Sequence, residues 1–181
     1  KDESLLRLAI QRCFECLDIP VSAVQIHAAS LLKQITKECS KAIISIKNPK
    51  DTVLKAWIMR VIHTVDQVTQ EAIPLLFEST ATLIKELVDD DLKVKFISQL
   101  LSWPNKMLQN AVNNISDDNI TKEETSVSVM IPISAISKIV IIADGSFCNE
   151  IEQTISFVIK LIDVYTCAIQ KEPKLLQVKN K

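Results

Sequence analysis

Apolar residues recur along most of this chain at alternating steps of three and four, the spacing that lines one face of an α-helix. Leu6, Ile10, Cys13 and Leu17 make the first stripe. Pro20 closes it, because proline disfavours helical dihedrals in the residue before it. Ser22 then stands where a cap is needed, and Val24, Ala28, Leu31, Ile35, Cys39, Ala42 and Ile46 form a second, longer stripe. Lys47-Asn48-Pro49-Lys50 is a breaker.

Asp51 or Thr52 caps a third helix, with Leu54, Ile58, Val61, Val65, Val68 and Ala72 on one face. Pro74 predicts a break or kink there, after which Phe77, Ala81, Ile84 and Val88 resume the pattern. Asp89-Asp90-Asp91 is a polar corner and N-cap, and Ile97, Leu101, Leu108, Ala111 and Ile115 follow with Pro104 as a kink. Residues 114–126 carry mostly Asn, Ser, Asp, Thr, Lys and Glu and read as a polar, flexible loop.

Beyond it, Val129, Ile133, Ile136, Val140 and Ala143 have helical spacing. The stretches 126–131 and 139–142 are β-branched enough to compete as strands. Asp144-Gly145-Ser146 is a turn, and residues 149–171 make the last helix before Pro173. That helix carries two adjacent stripes: Ile151, Ile155, Val158, Ile162, Tyr165 and Ile169 beside Phe157, Leu161, Val164 and Ala168. A helix apolar on two sides is expected at the centre of the molecule.

The pattern therefore predicts one all-α domain over 1–181: an antiparallel helical bundle of six or seven helices. A short α-solenoid fragment is the alternative, although no residue pattern repeats at 33 to 47 residues.

Composition narrows the function more than the architecture. Of 181 residues 48% are hydrophobic and 24% charged, which excludes a disordered chain. A net charge of −1 argues against nucleic acid, which requires an excess of Lys and Arg. The single glycine, Gly145, is incompatible with phosphate-cradling loops, nucleophile elbows and dinucleotide-binding turns, which use several. No run approaches the roughly 18 uninterrupted apolar residues taken here to mark a membrane span. The opening Lys1-Asp2-Glu3-Ser4 suggests a domain cut from a longer chain, or a mature form.

Candidate chemistry is sparse. His27 and His63 lie in no recognisable motif and read as boundary or surface residues. Cys13-x-x-Cys16 lacks the second Cys/His pair of a zinc site and reads as packed thiols. Glu38, Glu71, Glu78 and Glu86 lack the Glu-x-x-His pairs of a carboxylate metal centre. The expectation is therefore no catalytic residue, no metal and no cofactor.

Five cysteines, an odd count, favour reduced thiols and a cytoplasmic chain. Two N-glycosylation sequons, at Asn114 and Asn119, favour secretion instead. Trp57 and Trp103 are expected in the core; Trp103, beside the Pro104 kink, is the candidate partner contact.

The mean hydropathy of +0.20 calls for an outlet for apolar surface. The leading expectation is a non-enzymatic module that binds another protein through an apolar helix face or groove. The alternative is a secreted, N-glycosylated receptor ligand or carrier of an apolar small molecule.

Overall fold

Seven helices form among the residues that this computed structural model describes, 3–46, 53–115, 123–143 and 148–171. They are α1 (Glu3–Leu17), α2 (Ser22–Ser45), α3 (Val53–Thr64), α4 (Ala72–Lys85), α5 (Asp90–Asn114), α6 (Glu123–Ala143) and α7 (Cys148–Lys171). The chain is an all-α helical bundle, with no strand among the described residues. Both stretches that competed as strands lie within α6. β-Branching costs a helix only a few tenths of a kcal/mol per residue, by a rough scale. Burial of Val129, Ile136 and Ile139 exceeds that cost.

Several predicted boundaries shift for local reasons. Ser22 opens α2 but caps nothing; Val21 holds the cap position, without a side-chain hydrogen bond. Asp89 does cap α5, accepting from the Leu92 amide at 3.0 Å. α3 ends at Thr64, before the predicted break at Pro74. Pro74 lies in the first turn of α4, where its missing N–H would have no helical partner. α5 continues through Pro104 as far as Asn114, and α6 begins at Glu123, so the predicted loop 114–126 is overdrawn at both ends. The Asp51 and Thr52 caps, the 47–50 breaker and the 144–146 turn fall outside the described residues.

The helices pack in an order that short links alone do not produce. α2, α4 and α6 form a row in which α4 lies between the other two. α3 and α5 lie beside that row, α1 packs along α2, and α7 packs along α5. Interactions between the first helix pair and the second fall within a narrow range of sequence separations. Arg60 on α3 pairs with Asp18 after α1, 42 residues away. Phe14 meets Trp57 edge-on with centroids 5.1 Å apart. The Thr69 amide donates to Gln25 Oε1 at 2.8 Å, 44 residues away, and Lys33 pairs with Glu78 at 2.8 Å.

The Gln25 and Lys33 contacts join the start of α2 to the link just before α4 and the middle of α2 to the middle of α4, so these two helices run in the same direction. The near-constant offset follows from that parallel packing of α2 and α4, and the next junction does not keep it, since Lys138 of α6 meets Glu78 of α4 at a larger separation.

α4 is the central helix. Leu76, Phe77, Leu83 and Ile84 are at most 1% exposed, and Ala72, Ser79 and Thr80 are fully buried. Its hydroxyls turn inward on the helix: Ser79 and Thr80 donate to the Leu76 carbonyl, and Thr80 accepts from the Trp57 indole at 3.0 Å.

α7, expected at the centre, is peripheral. One side packs on α5 through Leu161 and Thr154, the latter donating to Asn105 Oδ1 at 2.7 Å. Ile155, Ile159 and Ile162 on the adjoining side are 51–58% exposed. A double stripe shows how much of a helix is apolar; it does not supply the neighbour that would cover it.

The row is joined by one carboxylate. Lys33 of α2 and Lys138 of α6 approach Glu78 of α4 from either side, at 2.8 and 3.3 Å. Burial by itself would raise the Glu78 carboxyl, but the two lysines outweigh it and hold the group below its usual range.

α6 corrects the expectation about membrane spans. Its window Thr125–Ile142 has a mean hydropathy of 1.9 over 18 residues, long and apolar enough to cross a membrane by length and composition. Serines and Lys138 interrupt every apolar run, so a criterion of uninterrupted residues passes over it. Here α6 packs on α4 and α5, burying Val129, Ala135, Ile136 and Ile139, while Met130 and Ile141 are exposed.

Candidate interaction groove

α1 and α2 are joined by a link of four residues and lie against each other. On α1 the facing positions Ala9, Arg12, Cys13 and Cys16 fall at helical steps; on α2 they are Ala23, Val24, His27, Ala28 and Leu31. Most of these side chains are short. Two helices whose axes stand about 8–10 Å apart leave a channel where small residues face each other. The result is a groove of about 530 Å³ with an almost wholly apolar lining.

Leu31, 52% exposed, forms part of its wall, and Leu5, 62% exposed, lies one helical turn before Ala9. The sequence placed Leu31 on a core stripe. The most deeply buried line of α2 runs through Gln25, Ala29, Leu32, Thr36, Ser40 and Ile43, beside that stripe, of which Ala28 and Ile46 are buried as well.

The polar groups of the groove are few. Arg12 pairs with Glu15 at 2.6 Å on its own helix. Hydrogen bonds from Gln11 and then Arg12 hold the Glu15 carboxyl below its usual range. His27 Nδ1 stands 2.7 Å from the Ala23 carbonyl, which can only accept, so the ring nitrogen donates. Burial, with Cys16 adding to it, raises the Cys13 thiol, which makes it a poor nucleophile. Cys13, Cys16, Cys39 and Cys167 are unpaired. Among the described residues no three His, Cys, Asp or Glu side chains converge where they could hold a metal ion.

A second, polar cleft of about 290 Å³ lies between α5 and α7, lined by Ser98, Ser102, Asn105, Lys106, Gln109 and Phe157 among others. Lys160 sits 5.9 Å above the centre of the Phe157 ring.

Trp103, the sequence's candidate partner contact, is not a surface residue. It is 8% exposed, its indole N–H donates to Asp66 at 2.7 Å, and its ring lies 5.6 Å from Phe77. Pro104 is buried beside it, so the proline opens no local gap. Trp57 is likewise in the core, as the sequence led one to expect. Asn114 is exposed at the last turn of α5, and Asn119 falls outside the described residues.

Sequence reasoning missed the groove itself. Its signal was present as small residues at helical steps on two consecutive segments: Ala9, Cys13 and Cys16, then Ala23, Val24 and Ala28. Small side chains in such places also permit close helix packing, and only the positions of both helices separate the two uses. No protein-family model, curated protein or solved structure matches the chain.

Proposed function

We propose that this chain is a protein-interaction module without enzymatic activity, and that the α1/α2 groove receives an apolar helix face from a partner. The observation carrying this reading is an apolar channel of about 530 Å³ open along one side, with Leu31 exposed in its wall. A small molecule there would keep one flank in water. An amphipathic helix covers the channel with its apolar face and presents its polar face outward, which is the usual helix-in-groove arrangement.

The test is photo-crosslinking from position 24 inside the groove, in protein from its own source, with and without Leu31→Glu. The expected product is a crosslinked peptide with apolar residues at helical spacing, lost in the Leu31→Glu protein. Recovery of a co-purifying lipid that Leu31→Glu expels, with no crosslinked peptide, overturns the reading and favours a carrier of apolar molecules.

A further inference from the structure

α6 is apolar on more than one side and covered on only one. Val129, Ala135, Ile136 and Ile139 are buried where it packs on α4 and α5, while Met130 and Ile141 stand on the far side, 62% and 75% exposed. Fewer than a third of the residues from Thr125 to Ile142 are buried, whereas most of α4 is. A helix that is apolar all round belongs either inside a large core or in the hydrocarbon of a membrane. The bundle supplies the first setting only in part.

We infer that α6 is a latent membrane-spanning helix: where the chain meets a phospholipid bilayer, α6 leaves the bundle and crosses the hydrocarbon core. The α1/α2 groove takes no part in this exchange. Three features single out a bilayer as the second setting.

The first is apolar length. The 21 residues of α6 run about 31 Å at 1.5 Å per residue, against a hydrocarbon core of about 30 Å. Length alone would also admit α2, α5 and α7, but charged residues are spread along each of them. Among the described residues α6 is the one helix both long enough and apolar enough.

The second is charge. Lys138 is the only ionised side chain between Thr125 and Ile142. It stands about 6 Å along the axis from Ile142, so its ammonium reaches the headgroups while its methylenes stay in hydrocarbon. On leaving, it gives up Glu78 at 3.3 Å, but that carboxylate keeps Lys33 at 2.8 Å and is not left unpaired.

The third is hydrogen bonding. Ser128 donates to the Thr125 carbonyl at 2.7 Å and Ser137 to the Ser134 carbonyl at 2.8 Å, so both hydroxyls are satisfied within the helix. The helical backbone carries its own bonds with it, and the one donor that Pro132 withholds is a loss membrane helices tolerate.

In water α6 stays in place, because its departure would expose its buried side and the faces of α4 and α5 beneath it. In a bilayer, acyl chains cover the whole helix, Met130 and Ile141 included.

The test uses the full chain and vesicles of phosphatidylcholine and phosphatidylglycerol holding a trace of phospholipid with a diazirine at the end of one acyl chain. Light expels dinitrogen and leaves a carbene, which inserts into nearby C–H bonds at the bilayer midplane, and peptide mass mapping locates the adducts. They are expected in the middle of α6 and on both its sides, at Ile136 as well as Met130. Met130→Asp is the second sample, since Met130 is exposed in the bundle and lies near the middle of the apolar stretch. In water this variant should keep the parent's circular dichroism spectrum and melting temperature. With vesicles its adducts should fall by at least about tenfold, because a carboxylate is strongly disfavoured in mid-membrane.

A parent without adducts in α6, or with adducts at Met130 and none at Ile136, overturns the inference, for the bundle then stays closed. Adducts spread over the other helices, or undiminished by Met130→Asp, overturn it too, since they report unfolding on the lipid in place of insertion.

Discussion

α4 and α7 are both rich in apolar residues, yet the shorter α4 is buried nearly all round and α7 is covered along one side only. α4 has α2 on one side and α6 on the other, with α3 and α5 beside it; α7 has α5. The difference is one of position in the stack. In such an arrangement each helix is stabilised by its immediate neighbours, so an inner helix is covered and an end helix retains a free face. Burial here is set by the number of neighbours more than by the strength of the stripe.

The largest effect should come from removing a central side chain. Phe77→Ala is expected to cost about 3–5 kcal/mol, because the ring is fully enclosed and touches Trp103. Leu161→Ala on α7 should cost nearer to about 2 kcal/mol, since the site can relax toward water. Urea denaturation of the two variants compares them directly, and equal losses would break the contrast between inner and end helices.

Next comes a polar residue that joins the first two helix pairs. Gln25, 4% exposed, donates to the carbonyls of Leu17 and Gln67 at 3.0 and 3.3 Å and accepts from the Thr69 amide. Gln25→Leu fits the volume but leaves those backbone groups without their partner, at an expected cost of about 2–4 kcal/mol. A variant as stable as the parent would show that this contact does not hold α2 against the link before α4.

A smaller effect, dependent on pH, is expected at Glu78. Its carboxyl is held below the usual value of 4.5 in the folded chain. The stabilisation it gives is therefore complete above the unfolded value and is lost as pH falls through the folded one. Glu78→Gln should cost about 1–2 kcal/mol near neutral pH, because two lysines lose their shared partner. The cost should shrink as pH falls below the unfolded value of 4.5 and through the lower folded one, where the parent carboxylate is itself protonated. Thermal melts of both proteins over a series of pH values from neutral to the acid limit of folding measure the difference, and a loss that stays constant over that whole range would exclude the ion pairs as its source.

The smallest effect is expected on the free side of α7. Ile159→Ser should change the stability of the chain by less than about 0.5 kcal/mol, since the side chain is already half in water. A loss of about 2 kcal/mol or more would mean that α7 is covered within the bundle, and would remove the contrast with α4.

Much of the local structure was legible in the residues. The Leu6–Leu17 stripe, the Asp89 cap and the helical run after 149 all appear in the structure as read. Those features depend on residues within a few positions of one another. Errors arose where a distant neighbour decided the outcome. Val88, extrapolated from the α4 stripe, lies beyond the end of that helix and is 97% exposed. Leu31 looked like core and forms the wall of a groove, while Gln25 and Thr36, which stand on no predicted stripe, are buried. Trp103, expected in the core with a partner contact as its other reading, is buried, and Asp66, 37 residues away, supplies the acceptor for its indole.

The sequence by itself determined that this protein is helical, where most of its helices run, and that it has a single glycine. Those properties follow from periodicity and residue chemistry, which act over a turn or two of helix. Only the tertiary structure decided which helix is central, which stripe is left uncovered and where two rows of small residues leave a groove. Each depends on the side chains that arrive from 40 or more residues away, and the pattern along one helix does not encode its neighbour.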